Sequence, residues 1–201
     1  MTTAAFAIAT LNLAVSGGDT ISLVNGATGV VRWPDNSQHA VNVTVTEATG
    51  IGLNVADVAL QEGFNVLAIR APSGHAMVLT DTQTGTSVRV GTLEVGVEVL
   101  SDGTVIAPTQ FNVKVPTQGT LPQADRALVL SGLPGPDWTR AIVVPNTGGL
   151  SSKTVQASAT GTATLRDAAG GLSANDIDGP NSTIGVYFAR NKDLLPDAPV
   201  F

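Results

Sequence analysis

The chain has 201 residues, no cysteine, only two histidines, and a charged fraction of 13%, about half the ~25% of an ordinary globular protein. Its formal net charge is −6 and its ten lysines and arginines are scattered singly. This argues against nucleic acid or an anionic membrane as a partner, because both require clustered cations. No stretch approaches the ~18–20 apolar residues of a membrane-spanning helix, and the lack of cysteine excludes a small disulfide-stapled scaffold.

The N-terminal stretch is largely apolar but has no positively charged start. Phe6 and Ile8 alternate with polar or small residues, and so do Leu11, Leu13 and Val15, with a slip of one residue between the two groups. This pattern predicts an opening strand that contains a β-bulge, in preference to a signal peptide.

Apolar residues recur at every second position in several later stretches, which predicts half-buried antiparallel strands. Glu94 and Glu98 fall on the polar face of one such strand, where we expect them to be solvated. Four strand positions separate them by ~13 Å, more than the ~5–9.5 Å of a glycosidase pair. The apolar stripes are Val41, Val43 and Val45; Leu93, Val95, Val97 and Val99; Phe111, Val113 and Val115; and Ile184, Val186 and Phe188.

Turn signals separate these strands. Asp102-Gly103 predicts a hairpin, and Pro34-Asp35-Asn36 predicts another turn. One short helix is predicted from Asn54, a possible N-cap, to Gly63, a possible C-terminal stop, and a second over Pro122–Leu130.

The chain is therefore predicted to be all-β: an antiparallel β-sandwich, jelly roll or barrel with one or two short helices and long ordered loops. Prolines near residues 116–122 predict a boundary. Residues 1–116 would form the sandwich or barrel domain, and residues 117–201 a loop-rich β extension packed on it or on a neighbouring subunit. The apolar, proline-containing stretch Leu194–Phe201 is expected to be a docked arm, either on its own domain or across a subunit boundary.

Candidate catalytic and metal-binding residues are few. His39 and His75 lie in or beside turns, and the chain has neither a Gly-x-Ser-x-Gly elbow nor a cysteine nucleophile, so both are interpreted as turn-exposed or hydrogen-bonded. Asn175-Asp176-Ile177-Asp178-Gly179 offers oxygen ligands but lacks the spacing of a calcium loop, and is interpreted as a tight turn. No catalytic, cofactor-binding or metal residue is assigned, and the chain is not predicted to be an enzyme.

The two tryptophans have two interpretations. Trp33 and Trp138 each lie near proline, where either could be an exposed platform for a sugar, but covering the edge of the core is the better explanation for both. The polar strand faces consist of Thr, Asn, Gln, Ser and Ala. Removing these uncharged side chains from water costs little free energy, which favours assembly with other subunits.

The stretch from Gly91 to Val115, with its alternation around Asp102-Gly103, resembles tailed-phage virion proteins of the capsid decoration (cement) class. The resemblance extends to the overall composition of the sequence, which is cysteine-free and rich in Ala, Gly, Thr and Val. It implies a non-catalytic structural protein that stabilises the shell of a virus particle through subunit contacts. It also implies a homo-oligomer such as a trimer, assembled in the host cytoplasm and bound to a major capsid or other virion protein.

Two alternatives remain open. A phage tail tube, connector or fibre component would share this composition but form rings, stacks or fibres. A carbohydrate-binding adhesin module would instead use Trp33 or Trp138 as its stacking platform.

Overall fold

The computed structural model describes residues 7–14, 20–22, 28–41, 44–46, 52–71, 77–81, 86–106, 112–114, 127–131, 139–144, 153–156, 163–166 and 179–201. Sixteen strands and one turn of 3-10 helix, Lys192–Leu194, account for the regular structure of these ranges. The predicted all-β class is confirmed. The finer prediction of a jelly roll or barrel is not, because the large sheet follows an open path. In the same ranges no helix has the length and apolarity needed to cross a membrane.

The strands are numbered in order of sequence. They are β1 Ala7–Ala14, β2 Thr20–Ser22, β3 Thr28–Arg32, β4 Gln38–Val41, β5 Thr44–Thr46, β6 Gly52–Leu60, β7 Gly63–Arg70, β8 Met77–Asp81, β9 Thr86–Val99, β10 Val105–Ile106, β11 Asn112–Lys114, β12 Ala127–Ser131, β13 Thr139–Val144, β14 Lys153–Gln156, β15 Ala163–Arg166 and β16 Gly179–Phe188.

The largest sheet has ten strands and the order β14-β13-β16-β9-β7-β3-β4, with β8 and β10 also paired to β9, and β2 paired to β8. Its pairs are antiparallel except β16 with β9, which run parallel. Two three-stranded sheets, β1-β6-β5 and β11-β12-β15, complete the described structure. The predicted boundary between residues 116 and 117 lies outside the described residues and stays a prediction.

β9 lies between β7 and β16, and from Leu93 to Val99 it is buried on both faces. The apolar stripe from Leu93 to Val99 is buried as predicted, but the opposite face is buried too. At Gly96 an added Cβ would lie 2.5 Å from Cζ of Phe64 and 2.6 Å from Cδ1 of Tyr187, so aromatic rings cover this position. The prediction of a half-buried strand was wrong here, because a second layer covers the face that carries the glutamates.

The helix predicted from Asn54 to Gly63 was wrong. β6 runs to Leu60, and β7 begins at Gly63. The buried Asn65 side chain organises the turn between them: its Oδ1 accepts the Gln61 N–H at 3.0 Å, and its Nδ2 donates to the Gln61 and Gly63 carbonyls. Gly63 has a φ of 111°, which suits glycine at this turn.

The second predicted helix, Pro122–Leu130, overlaps β12. The described part of that range, from Ala127, is a strand paired with β11 and β15, so the prediction was wrong for those residues. Residues 122–126 lie outside the described ranges.

The local predictions of turns and of a bulge agree with the structure. The register of β1 against β6 shifts between Ala9 and Leu11, which confirms the predicted bulge. The Asp102-Gly103 hairpin is confirmed, with Val105 opposite Val99 and Gly103 at a φ of 87°. The turn at Pro34–Asn36 is confirmed as the link between β3 and β4.

Candidate functional site: the docking face of the C-terminal segment

One face of the ten-stranded sheet holds residues 190–201. The register places five residues of neighbouring strands in one row: Arg140 on β13, Tyr187 on β16, Gly96 on β9, Val66 on β7 and Arg32 on β3. Directly opposed residues project from the same side of a sheet. We call this side the docking face, and we call residues Arg190–Phe201 the C-terminal segment.

Glu94 lies on the docking face and has no exposed surface. Its carboxylate accepts the backbone N–H of Val200 at 3.0 Å and that of Phe201 at 2.8 Å. The Tyr187 hydroxyl donates to Oε2 of the same carboxylate. These three donors compensate the burial of the negative charge, which would otherwise cost several kcal/mol.

Glu98 holds the start of the same segment. The residue is 9% exposed, and its Oε2 accepts the backbone N–H of Arg190 at 2.6 Å and that of Asn191 at 3.3 Å. The expectation that Glu94 and Glu98 are solvated was therefore wrong. Both are covered by the C-terminal segment, which is distant in sequence. Period-two alternation shows which residues share a face of the strand but not what covers that face.

Two arginines bind the carbonyl oxygens of the segment. Nη1 of Arg32 donates to the Val200 carbonyl at 3.1 Å. Nη1 of Arg140 donates to the Leu195 carbonyl at 2.9 Å and to the Pro196 carbonyl at 3.3 Å. The glutamates thus bind backbone N–H groups and the arginines bind backbone carbonyl groups, both by charge-assisted hydrogen bonds.

Side-chain packing adds to these hydrogen bonds with the backbone of the segment. Leu195 is buried against Val66, Ile142, Tyr187 and Ala189. At the end of the segment, Val200 and Phe201 pack against this cluster. The guanidinium carbon of Arg70 lies 5.3 Å from the centre of the Phe201 ring, within the range of a cation–π contact. In this structure the C-terminal segment lies against the sheet of its own molecule.

Burial, followed by the negative charge of Glu94, raises the pKa of the Tyr187 hydroxyl. The hydroxyl is therefore protonated throughout the physiological range and available as a donor to Glu94. Tyr187, Arg32 and Arg140 were not singled out from the sequence. The sequence signal that could have pointed to this site was the pair Glu94 and Glu98, two acidic residues within the otherwise apolar stretch 93–99 of a protein with few charges.

A cavity of about 330 Å³ lies between the β3–β4 turn and the C-terminal segment. Arg32 and Phe64 of the sheet, and Trp33 and Pro34 of the β3–β4 connection, are among the residues that line it. The segment contributes Pro196, Pro199 and Val200, among others.

Trp33 is 4% exposed, and its indole N–H donates to the Ala59 carbonyl at 2.9 Å. The interpretation of Trp33 as a cover for the core edge is confirmed. Trp138 lies outside the described residues.

His39 lies on β4, with Nε2 at 2.9 Å from the Ser37 hydroxyl and its ring centre 3.7 Å from that of Trp33. The interpretation as a hydrogen-bonded histidine is confirmed. Asp35 accepts hydrogen bonds from the Ser37 hydroxyl and N–H, which lower the pKa of its carboxyl. His75 lies outside the described part of the sequence.

Residues 175–178 of the candidate calcium loop also lie outside the described part. Among the residues that the structure describes, no three His, Asp or Glu side chains lie close enough together to hold a metal ion.

The docking face thus holds the C-terminal segment largely through backbone groups of that segment. Comparison of the sequence with protein-family models, with curated proteins and with solved structures finds no match in any of the three.

Proposed function

We propose that this protein is a non-catalytic structural component of a virus particle, a capsid decoration protein that stabilises the shell through contacts between subunits. Its partners would be further copies of itself and a major capsid or other virion protein, and it would be located in the virion. The resemblance of the sequence to this class implies a protein that holds others by many small contacts and by termini laid along neighbouring surfaces.

The docked C-terminal segment is the observation that carries this proposal. Glu94, Glu98, Arg32 and Arg140, four charged residues of a protein that has few, hold polypeptide backbone. A site of this kind holds protein segments in place.

A tail tube, connector or fibre component is the second candidate. The path of the ten-stranded sheet ends at β4 and β14, and in the described residues neither has a strand on its outer side. Open edges allow copies to pair strand to strand into rings or fibres.

The proposal can be tested by locating the protein on particles. An antibody raised against the purified protein should label the heads of intact virus particles from the organism that encodes it, in electron micrographs. Particles that lack the protein should lose infectivity on heating at a lower temperature than complete particles. Label confined to tails would select the second candidate, and particles without label would overturn both.

A further inference from the structure

We propose that the docking face also binds the C-terminal segment of a second copy, so that copies join by exchanging the arm Leu195–Phe201. Arm exchange deepens the proposed function and rests on it for its biological setting, since it names the contact by which copies on a particle would be linked. The partner is thus another molecule of this protein. The site comprises Glu94 and Tyr187 at the centre, with Arg32 and Arg140 at the two sides.

The first argument concerns what the face recognises. Five of its hydrogen bonds go to backbone atoms of the arm: the N–H groups of Val200 and Phe201, and the carbonyls of Leu195, Pro196 and Val200. None of them depends on the arm belonging to the same molecule. An arm from another copy would reproduce every one, which is why exchange of an element is a low-cost route to an oligomer.

The second argument concerns the vacated face. Glu94 is fully buried beneath the arm, and two of its three donors belong to Val200 and Phe201. A molecule with its arm undocked would lose both donors and leave a charged group poorly compensated, which is strongly unfavourable. The face therefore needs an occupant with N–H groups at this spacing, which the molecule's own arm supplies here and the arm of another copy would supply after exchange.

The third argument concerns the connection. Glu98 holds Arg190 and Asn191, and the single 3-10 turn Lys192–Leu194 that follows has no buried residue. Unwinding this turn costs little packing and lets the polypeptide between Asn191 and Leu195 span ~13 Å. Leu194, at the end of the turn, is the exposed large hydrophobic residue among the described ones, at 37% exposure, and a second copy could cover it.

The composition of the arm also favours exchange. Pro196 and Pro199 restrict the backbone, so a free arm stays extended and loses less conformational entropy when it docks again. Neither proline occupies a position that donates to Glu94. The two amides that do, those of Val200 and Phe201, follow Pro199 directly.

The test uses a synthetic peptide with the sequence of residues 192–201, labelled with a fluorophore at its N-terminus. A shortened protein that ends at Leu194 should bind it, as measured by fluorescence anisotropy. A matched peptide with N-methyl groups on the Val200 and Phe201 amides lacks both donors to Glu94 and should bind at least about tenfold more weakly. Equal binding of the two peptides, or no binding by a shortened protein whose circular dichroism is that of the full-length one, would overturn the proposal.

The full-length protein provides a second test that does not depend on the shortened one. Light scattering over a concentration series should detect a dimer or larger oligomer. Unlabelled peptide at about millimolar concentration, comparable with the effective concentration of a tethered arm, should lower the mass, and the N-methylated peptide should not. A monomer at every concentration, or an oligomer that the peptide leaves intact, would refute arm exchange. Neither result would change the labelling of particles, so the proposed function would be judged separately.

Discussion

The backbone N–H of Phe201 donates to Oε1 of Glu94 at 2.8 Å, although the two residues are 107 positions apart in the sequence. The acceptor is completely buried, and the donor lies in the segment that follows β16, the strand paired with β9. The contact therefore links the docking of Val200 and Phe201 to one buried carboxylate in the centre of the sheet. The first prediction follows from this coupling.

Replacing Glu94 with glutamine should lower the free energy of unfolding by about 2–4 kcal/mol, because the amide loses the charge and places its NH₂ group against an N–H or O–H donor. Urea unfolding followed by tryptophan fluorescence measures the change. Glu62→Gln is the matched control, since Glu62 is exposed and its replacement should change stability by less than about 0.5 kcal/mol. Equal losses in the two variants would show that the buried carboxylate has no special role.

Tyr187 can be titrated directly, because it is the one tyrosine of the protein. Burial and the charge of Glu94 raise its pKa above the ordinary value of about 10, so the folded protein should show no tyrosinate absorbance where a denatured sample ionises. Above pH ~10 the unfolded state binds fewer protons than the folded state. Stability should therefore be fully present below that pH and fall above it, by about 1.4 kcal/mol per pH unit from this group.

The control for this titration is Tyr187→Phe, which should abolish the absorbance change in both folded and denatured samples. It should also remove this contribution to the alkaline loss of stability. Ionisation of the folded wild-type protein at the same pH as the denatured protein would contradict the buried position of the hydroxyl.

Gly96→Ala should destabilise the protein by about 3 kcal/mol or more, or prevent folding, because the new methyl group would lie between the rings of Phe64 and Tyr187. Gly103→Ala makes an informative comparison. There the methyl group would meet nothing within 4 Å, and only the φ of 87° opposes it, at a cost of about 1 kcal/mol. Thermal melting of the two variants should rank them in this order, and the reverse order would be evidence against the packing of the docking face.

Arg140 and Asp197 form an ion pair at 2.7 Å, but their replacements should have different effects. Asp197 is 94% exposed, so Asp197→Asn should change stability by less than about 0.5 kcal/mol. Arg140→Ala should cost about 1–3 kcal/mol, since it also removes the donor to the Leu195 and Pro196 carbonyls. Limited proteolysis should release the C-terminal segment faster from Arg140→Ala than from Asp197→Asn, and equal rates would contradict this assignment.

Trp33 is expected to be inaccessible to solvent and therefore to sugars. The sequence has two tryptophans, so a Trp138→Phe variant leaves Trp33 as the single source of tryptophan fluorescence. Its emission should be blue-shifted and weakly quenched by acrylamide, because the ring is 4% exposed and bonded to Ala59. Red-shifted, strongly quenched emission would revive the stacking-platform alternative for this residue.

Features set by neighbouring residues could be predicted from the sequence. The alternation at Phe6–Val15 predicted β1 together with its bulge, and Asp102-Gly103 predicted its hairpin, because side-chain period and turn conformation are local properties. The all-β class followed from the same signals. The helix predicted from Asn54 failed although its capping residues were present, because strand pairing of β6 with β1 and β5 outweighs a capping preference of about 1 kcal/mol.

The candidate site was decided by the tertiary structure. Alternation distinguishes the two faces of β9 but does not say whether water or another segment covers the polar one, and the cover comes from residues at the far end of the sequence. The parallel pairing of β16 with β9 is likewise a long-range contact that no local pattern encodes. Burial of a carboxylate is favourable only once its donors are in place, so the sequence determined which groups are present and the assembled sheet determined their chemistry.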